Sequence, residues 1–314
     1  MISRRLKNII IYAYSLIFPS KIAKDNQYFR LWERKGIHIT PVHYYEPIPD
    51  TATLKAELWK KQSELVGINI NEKWQIQLLS LFSHKFKEEY DGFPRNRSKA
   101  PYQYYINNNY FFSVDAEILY CMIRYFKPKK ILEIGSGYST LLSAQAIQRN
   151  KHENPSYECE FVAIEPYPNR ILTEGFPGLS KLIIKKAQEV PFSEFEKLRE
   201  NDILFIDSSH VLNIGSDVQY EYLEILPRLS KGVLVHIHDI FMPAEYPKEW
   251  ILKEHRFWTE QYLLQAFLIY NESYEVVWAG SYMHLKHPDK LEAAFSSYRR
   301  NEKWPGSFWM RKIR

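Results

Sequence analysis

The stretch Lys130–Thr140, KILEIGSGYST, constrains the fold of this chain more than any other. Ile131, Leu132 and Ile134 form the short apolar run of a strand buried on both faces. Gly135-Ser136-Gly137 ends that run and lets the backbone turn tightly enough for a ligand to approach its N–H groups. Beyond the turn, Leu141, Leu142, Ala144 and Ala146 return at helical spacing. A strand, a glycine turn and a helix N-terminus make a nucleotide-binding corner, unless the turn serves folding alone.

Downstream of this corner the apolar segments alternate. Strands are expected at Phe161–Ile164, Leu182–Ile184, Ile203–Ile206, Val233–Ile237, Val276–Ala279 and Tyr282–Leu285, with helices at Tyr138–Arg149, Phe192–Glu200, Asp217–Leu226 and Phe257–Tyr270. Such alternation implies an α/β fold with a doubly wound, mostly parallel seven-stranded sheet. Only Gly280 and Ser281 join the last two strands, so these should form a terminal antiparallel hairpin. Ahead of the sheet, Ser113 and Glu117 read as the capped start of a helix running to Tyr125. Helices are also expected at Glu57–Gly67 and Glu72–Tyr90, the latter with a stripe of Trp74, Leu78, Leu81, Phe82 and Phe86. The domain reading is an N-terminal, largely helical cap region over 1–110, a Rossmann-like domain over 111–286 and a C-terminal tail over 287–314.

The cap region opens on a basic segment, Arg4-Arg5 followed by the apolar Ile9–Phe18. Ten residues are too few to span a bilayer. An amphipathic helix is expected, packed on a second copy in a homodimer or resting peripherally on the inner membrane face. The prolines of Ile37–Pro49 dictate an extended segment that gathers His38, His43, Tyr44, Tyr45 and Glu46. The net charge of +5 is spread along the chain, which argues against a nucleic-acid footprint. Cys121 and Cys159 show no metal or CxxC spacing, so a reduced, cytoplasmic setting is expected.

Further positions, at the ends of three strands, bear on chemistry. Glu165 ends the second strand, where an acid can accept both hydroxyls of a ribose. It lies twenty-eight residues after Gly137, and the polar insert Asn150–Glu158 accounts for the length. Asp207 ends the fourth strand, with His210 three residues on. The fifth strand puts His236 and His238 on one face and Asp239 at its end. Asp207, His210, His238 and Asp239 thus converge from two neighbouring strand ends. They support either a histidine base or a cation held by Asp207 and Asp239. His236 alone reads better as a core residue. The Pro-containing segment after Asp239 suggests a loop over the crevice, with Phe241, Glu245, Tyr246 and Trp250 as acceptor contacts alongside Tyr44, Tyr45 and Glu46, or a loop that simply packs on the sheet.

A dinucleotide fingerprint would place a third glycine at position 140, which is Thr140. With Glu133 inside the strand, the acid-x-Gly-x-Gly pattern resembles the first motif of the class I S-adenosylmethionine-dependent methyltransferases. The resemblance spans about residues 111–286. It implies that Glu133, Gly135, Ser136, Gly137, Tyr138, Ser139, Thr140, Glu165 and Asp207 hold the cofactor, with Gln188 bordering the adenine. His210, His238 and Asp239 then activate the acceptor, directly or through magnesium. The run FIDSSH…VLVHIHDIF…EYP further resembles bacterial enzymes of small-molecule and glycan pathways, which implies O-methylation of a sugar or metabolite hydroxyl. The rival readings are an NAD(P)-dependent oxidoreductase, disfavoured by Thr140, and a non-catalytic nucleotide-binding or membrane-associated scaffold.

Overall fold

The computed structural model describes residues 25–314. The chain divides into two compact units, with the break after Ala56 rather than at residue 110. In the first unit, Asp25 caps the helix Asn26–Glu33 by accepting the Gln27 N–H at 2.9 Å. Residues 37–49 carry no regular helix or strand, as three prolines require. There Tyr44 and Tyr45 are 81% and 77% exposed, and the His43, Tyr44 and Tyr45 rings stack within 4.3–5.3 Å of one another. The basic segment before residue 25 lies outside the described residues. No described helix is long and apolar enough to cross a membrane.

The second unit takes in residues 57–110 because their long helix, Glu72–Asp91, belongs to its core. Leu78, Leu79, Phe82 and Phe86 pack in one cluster with the helices Asp115–Phe126 and Tyr138–Glu153. The expected helix Glu57–Gly67 is only a short 3₁₀ turn at Ala56–Lys60. Leu65 and Gly67 have positive φ there, and the Ser63 N–H is spent on the Pro243 carbonyl at 2.7 Å.

The sheet has seven strands: β1 Lys130–Ile134, β2 Glu160–Ile164, β3 Lys181–Ile183, β4 Ile203–Ile206, β5 Leu234–Ile237, β6 Tyr274–Ala279 and β7 Phe308–Lys312. Their spatial order is β3-β2-β1-β4-β5-β7-β6. β1 to β5 pair in parallel, whereas β7 runs antiparallel to both β5 and β6. The antiparallel end is as expected, but its partner strand is not. Residues 282–285 lie in a helix, Gly280–Lys286, and the strand beside β6 comes from Phe308–Lys312. The region read as a tail therefore supplies an internal strand of the sheet. A four-residue apolar run such as YMHL does not distinguish a strand from one helical turn.

Alternating side chains feed two hydrophobic layers, one on each face. Ile131, Phe205 and Trp309 face one, and Leu132, Leu204 and Met310 the other. Burial on both faces leaves the C-terminal strand ends as the place where polar groups converge.

Candidate active site

The glycine turn is built against the end of β4. Gly135 has a φ of +79°, and a Cβ on it would stand 1.9 Å from the carbonyl oxygen of Asp207. No side chain is accommodated there. Gly137 has open space around it, and its N–H donates to Thr140 Oγ1 at 2.9 Å. The threonine that replaces a third glycine thus caps the helix Tyr138–Glu153. Beneath the turn, Glu133 accepts from Ser139 Oγ at 2.6 Å, and its other oxygen is buried with no hydrogen-bond partner among the described residues. Burial pushes the Glu133 carboxyl up to about 8. Glu133, Ser139 and Thr140 are all buried and lie under the turn, so they shape it from below rather than face an open cavity. Tyr138 turns to the other side, its hydroxyl 2.9 Å from that of Tyr105.

A cavity of about 390 Å³ opens above the turn. Gly135, Glu165, Tyr167, Ala187, Gln188 and Asp207 line it. Glu165 accepts the Ser136 N–H at 3.3 Å and the Tyr167 N–H at 2.8 Å, which fixes its carboxylate at the rim. Gln188 donates to the Gly215 carbonyl at 3.0 Å. Its own side-chain oxygen is buried with no partner among the described residues. A buried acceptor without a donor calls for one from a ligand.

Asp207 is the far wall of this cavity and the near edge of a second group of charges. His210 Nε2 lies 3.3 Å from Asp207 and 3.7 Å from Asp239, while its Nδ1 meets Glu260 at 2.8 Å. His238 Nδ1 lies 3.5 Å from Asp207 and 3.6 Å from Asp239, and its Nε2 is 3.4 Å from Asp115. Burial alone would strip both imidazoles of their protons. The flanking carboxylates win: His210 is raised to about 10, and His238 also lies well above the ordinary histidine value. Conversely, the two imidazoliums outweigh burial at Asp207 and hold its carboxyl low. Asp239 is shifted up, because burial exceeds the help it receives from His238 and His210. Both shifts favour the protonated ring over the free lone pair. This departs from the expectation of a histidine base and leaves the carboxylates as the proton acceptors.

The ligand atoms of Asp207, His238 and Asp239 all lie within 4.8 Å of one another, a donor set with the dimensions of a cation site. His236 is apart from this chemistry. Its ring is sandwiched between Phe205 and Trp309 at 4.2 and 4.3 Å, and burial keeps it neutral. Phe241 and Tyr246, expected as acceptor contacts, are almost wholly buried. Phe241 packs on Trp250 and Trp304, and the Tyr246 hydroxyl accepts the Gln261 N–H at 3.0 Å. They hold the loop down on the sheet.

Two members of the cluster carry no signal in the sequence. Asp115 sits in the first turn of its helix, where an acid usually serves the helix dipole. Instead its carboxylate accepts the N–H groups of Gly306 and Ser307 at 2.9 Å each and backs His238. Ser113, expected to cap this helix, bonds to the Ser297 hydroxyl at 2.7 Å. Glu260 begins another helix and is fully buried between His210 and the Tyr222 hydroxyl. Trp258, two residues earlier, lies tilted against His210 with the ring centres 4.3 Å apart.

Comparison with known proteins places this geometry in context. A family described as a methyltransferase domain matches residues 132–240, which run from β1 to just beyond β5. A protein of Archaeoglobus fulgidus described only as an uncharacterized protein is 32% identical over 171 residues, covering 52% of this chain and 75% of its own. Among solved structures, an O-methyltransferase from Bacillus cereus in complex with SAH aligns over 76% of this chain and 91% of its own. Its identity is 13% and the TM-score 0.39.

Proposed function

The chain belongs to the class I S-adenosylmethionine-dependent methyltransferases, and from that premise we propose that it methylates a hydroxyl oxygen of a sugar, glycan or small metabolite. One observation carries the reading. The cavity bounded by the glycine turn, Glu165 and Gln188 ends on Asp207, and Asp207 belongs to a buried group of acids and imidazoliums.

The residues fit the cofactor. Gly135 leaves the backbone bare where an adenosyl group approaches, Glu165 stands where ribose hydroxyls would donate, and the orphan oxygen of Gln188 suits the adenine amino group. Bound S-adenosylmethionine supplies an electrophilic methyl on sulfur. In this reading Asp239, raised and partly open, takes the acceptor's proton, while His210 and His238 orient both carboxylates. Asp207 and Asp239 would also hold a divalent cation, which when bound acidifies the acceptor oxygen, and His238 would join them only on giving up its proton.

The test is calorimetric titration with S-adenosylhomocysteine, followed by transfer of labelled methyl to a panel of polyols and glycans. Glu165→Ala should weaken binding by about 1.5–3 kcal/mol, the worth of charge-assisted contacts. Asp239→Asn should bind normally and lose turnover by about 10²–10⁴-fold. A folded protein that ignores S-adenosylhomocysteine and binds NAD(P) would overturn the reading.

A further inference from the structure

A second cleft, of about 200 Å³, lies between the end of the helix Glu72–Asp91, the chain around Ile106 and the segment Ser296–Lys303. Its volume is under the roughly 300 Å³ at which drug-sized pockets begin, so it suits a ligand of about one sugar ring. One side is apolar, from Tyr90, Phe93, Ile106 and Tyr298. The other carries hydroxyls. Ser113 Oγ lies 2.7 Å from Ser297 Oγ, and Ser297 donates onward to Glu117. The remaining oxygen of Glu117 is buried and has no partner among the described residues.

The charges around the cleft do not cancel. Arg95, Arg299 and Lys303 face Asp91 and Glu302. Asp91 is already engaged by Lys87 at 3.3 Å and by the Ser296 hydroxyl at 2.8 Å. Arg299 is turned onto the carbonyls of Ser296 and Tyr298. Lys303 is half-buried, with its ammonium 4.4 Å from the centre of the Phe112 ring, and among the described residues it makes no ion pair. Neither does Arg95. A partly desolvated lysine with no ion pair, and with only the neighbouring Glu302 as a more distant counter-charge, leaves room for an anion in the wall of a hydroxyl-lined cleft.

We propose that this cleft is a second ligand site and that it takes a phosphate-bearing sugar, the phosphate against Lys303 and Arg95 and the ring hydroxyls against Ser113 and Ser297. The site reaches the charged cluster through two short pieces of chain. Ser113 is two residues before Asp115, which backs His238. Lys303 is three residues before Gly306, where an added Cβ would stand 3.0 Å from the Asp239 Cα. An occupant therefore touches one segment that backs His238 and one that packs against Asp239. The inference does not depend on methyl transfer.

The full chain is titrated calorimetrically with glucose 6-phosphate, glucose and inorganic phosphate, with S-adenosylhomocysteine binding and the thermal midpoint as separate controls of the fold. Glucose 6-phosphate should bind about tenfold or more tightly than either fragment. Lys303→Gln should weaken it by about tenfold or more, and Ser297→Leu, which fills the cleft, should abolish it. Lys303→Gln should keep the wild-type thermal midpoint, whereas Ser297→Leu, which also removes the donor to the buried Glu117, should lower it. Absence of glucose 6-phosphate binding in the millimolar range overturns the proposal. So does equal binding of inorganic phosphate, or affinity that Lys303→Gln leaves unchanged. Should Ser297→Leu fail to fold, the lysine variant decides alone.

Discussion

Gly135 and Gly137 belong to one motif but answer to different physics. An alanine at 135 would sit 1.9 Å from a backbone oxygen, in a left-handed conformation that costs a side chain about 1–2 kcal/mol. Forcing atoms into a filled site adds about 1–3 kcal/mol. At 137 nothing lies within 4 Å of the added carbon. Gly135→Ala should therefore lower the denaturation midpoint by the sum of those costs and displace Asp207, whereas Gly137→Ala should leave stability almost unchanged. Equal effects of the two substitutions would sink this account of the turn. The same scale holds what the sequence does not show about the charge of the histidines. The sequence puts His210 and His238 at the right strand ends, but Asp115 and Glu260 lie far from them along the chain. It is these two acids that occupy the second nitrogen of each ring.

At the scale of elements, the parallel strands were legible because each buried run is short, apolar and bounded by a turn or a polar residue. The last strand was not. Phe308–Lys312 carries two cations and follows a stretch rich in charge, so its periodicity is masked, while Tyr282–Leu285 imitates a strand. What holds β7 in register is remote. Ile240 donates to the Gly306 carbonyl at 2.8 Å, and Asp115 accepts the N–H groups of Gly306 and Ser307. Asp115→Ala removes two charge-assisted bonds and leaves buried donors unmatched, which should cost about 3 kcal/mol or more. Amide exchange at Gly306 and Ser307 should accelerate well before the rest of the sheet opens. Uniform acceleration across all seven strands would instead mean that β7 needs no such anchor.

Over the whole molecule, buried titratable groups set how stability follows pH. Glu117 and Glu133 are held protonated by burial, up to about 7 and about 8 against an ordinary 4.5. Each binds a proton when folded that it has released when unfolded, so each contributes stability that fades as pH rises through that window. His210 acts in the same sense. Its carboxylate partners raise it to about 10 against an ordinary 6.5, and its contribution is complete below 6.5 and is lost progressively as pH rises from there to about 10. His236, kept neutral by burial, opposes them only below 6.5, where its unfolded form takes up a proton. Above 6.5 these effects point one way. Chemical denaturation between pH 6.5 and 8 should show a steady loss of stability, each group contributing up to about 1.4 kcal/mol per pH unit. Glu133→Gln retains the oxygen that accepts from Ser139 and cannot ionise. It should flatten the slope by up to that amount and make the variant the more stable protein at pH 8. A slope unchanged from wild type would mean that Glu133 is ionised in the fold, and its orphan oxygen would then require a donor.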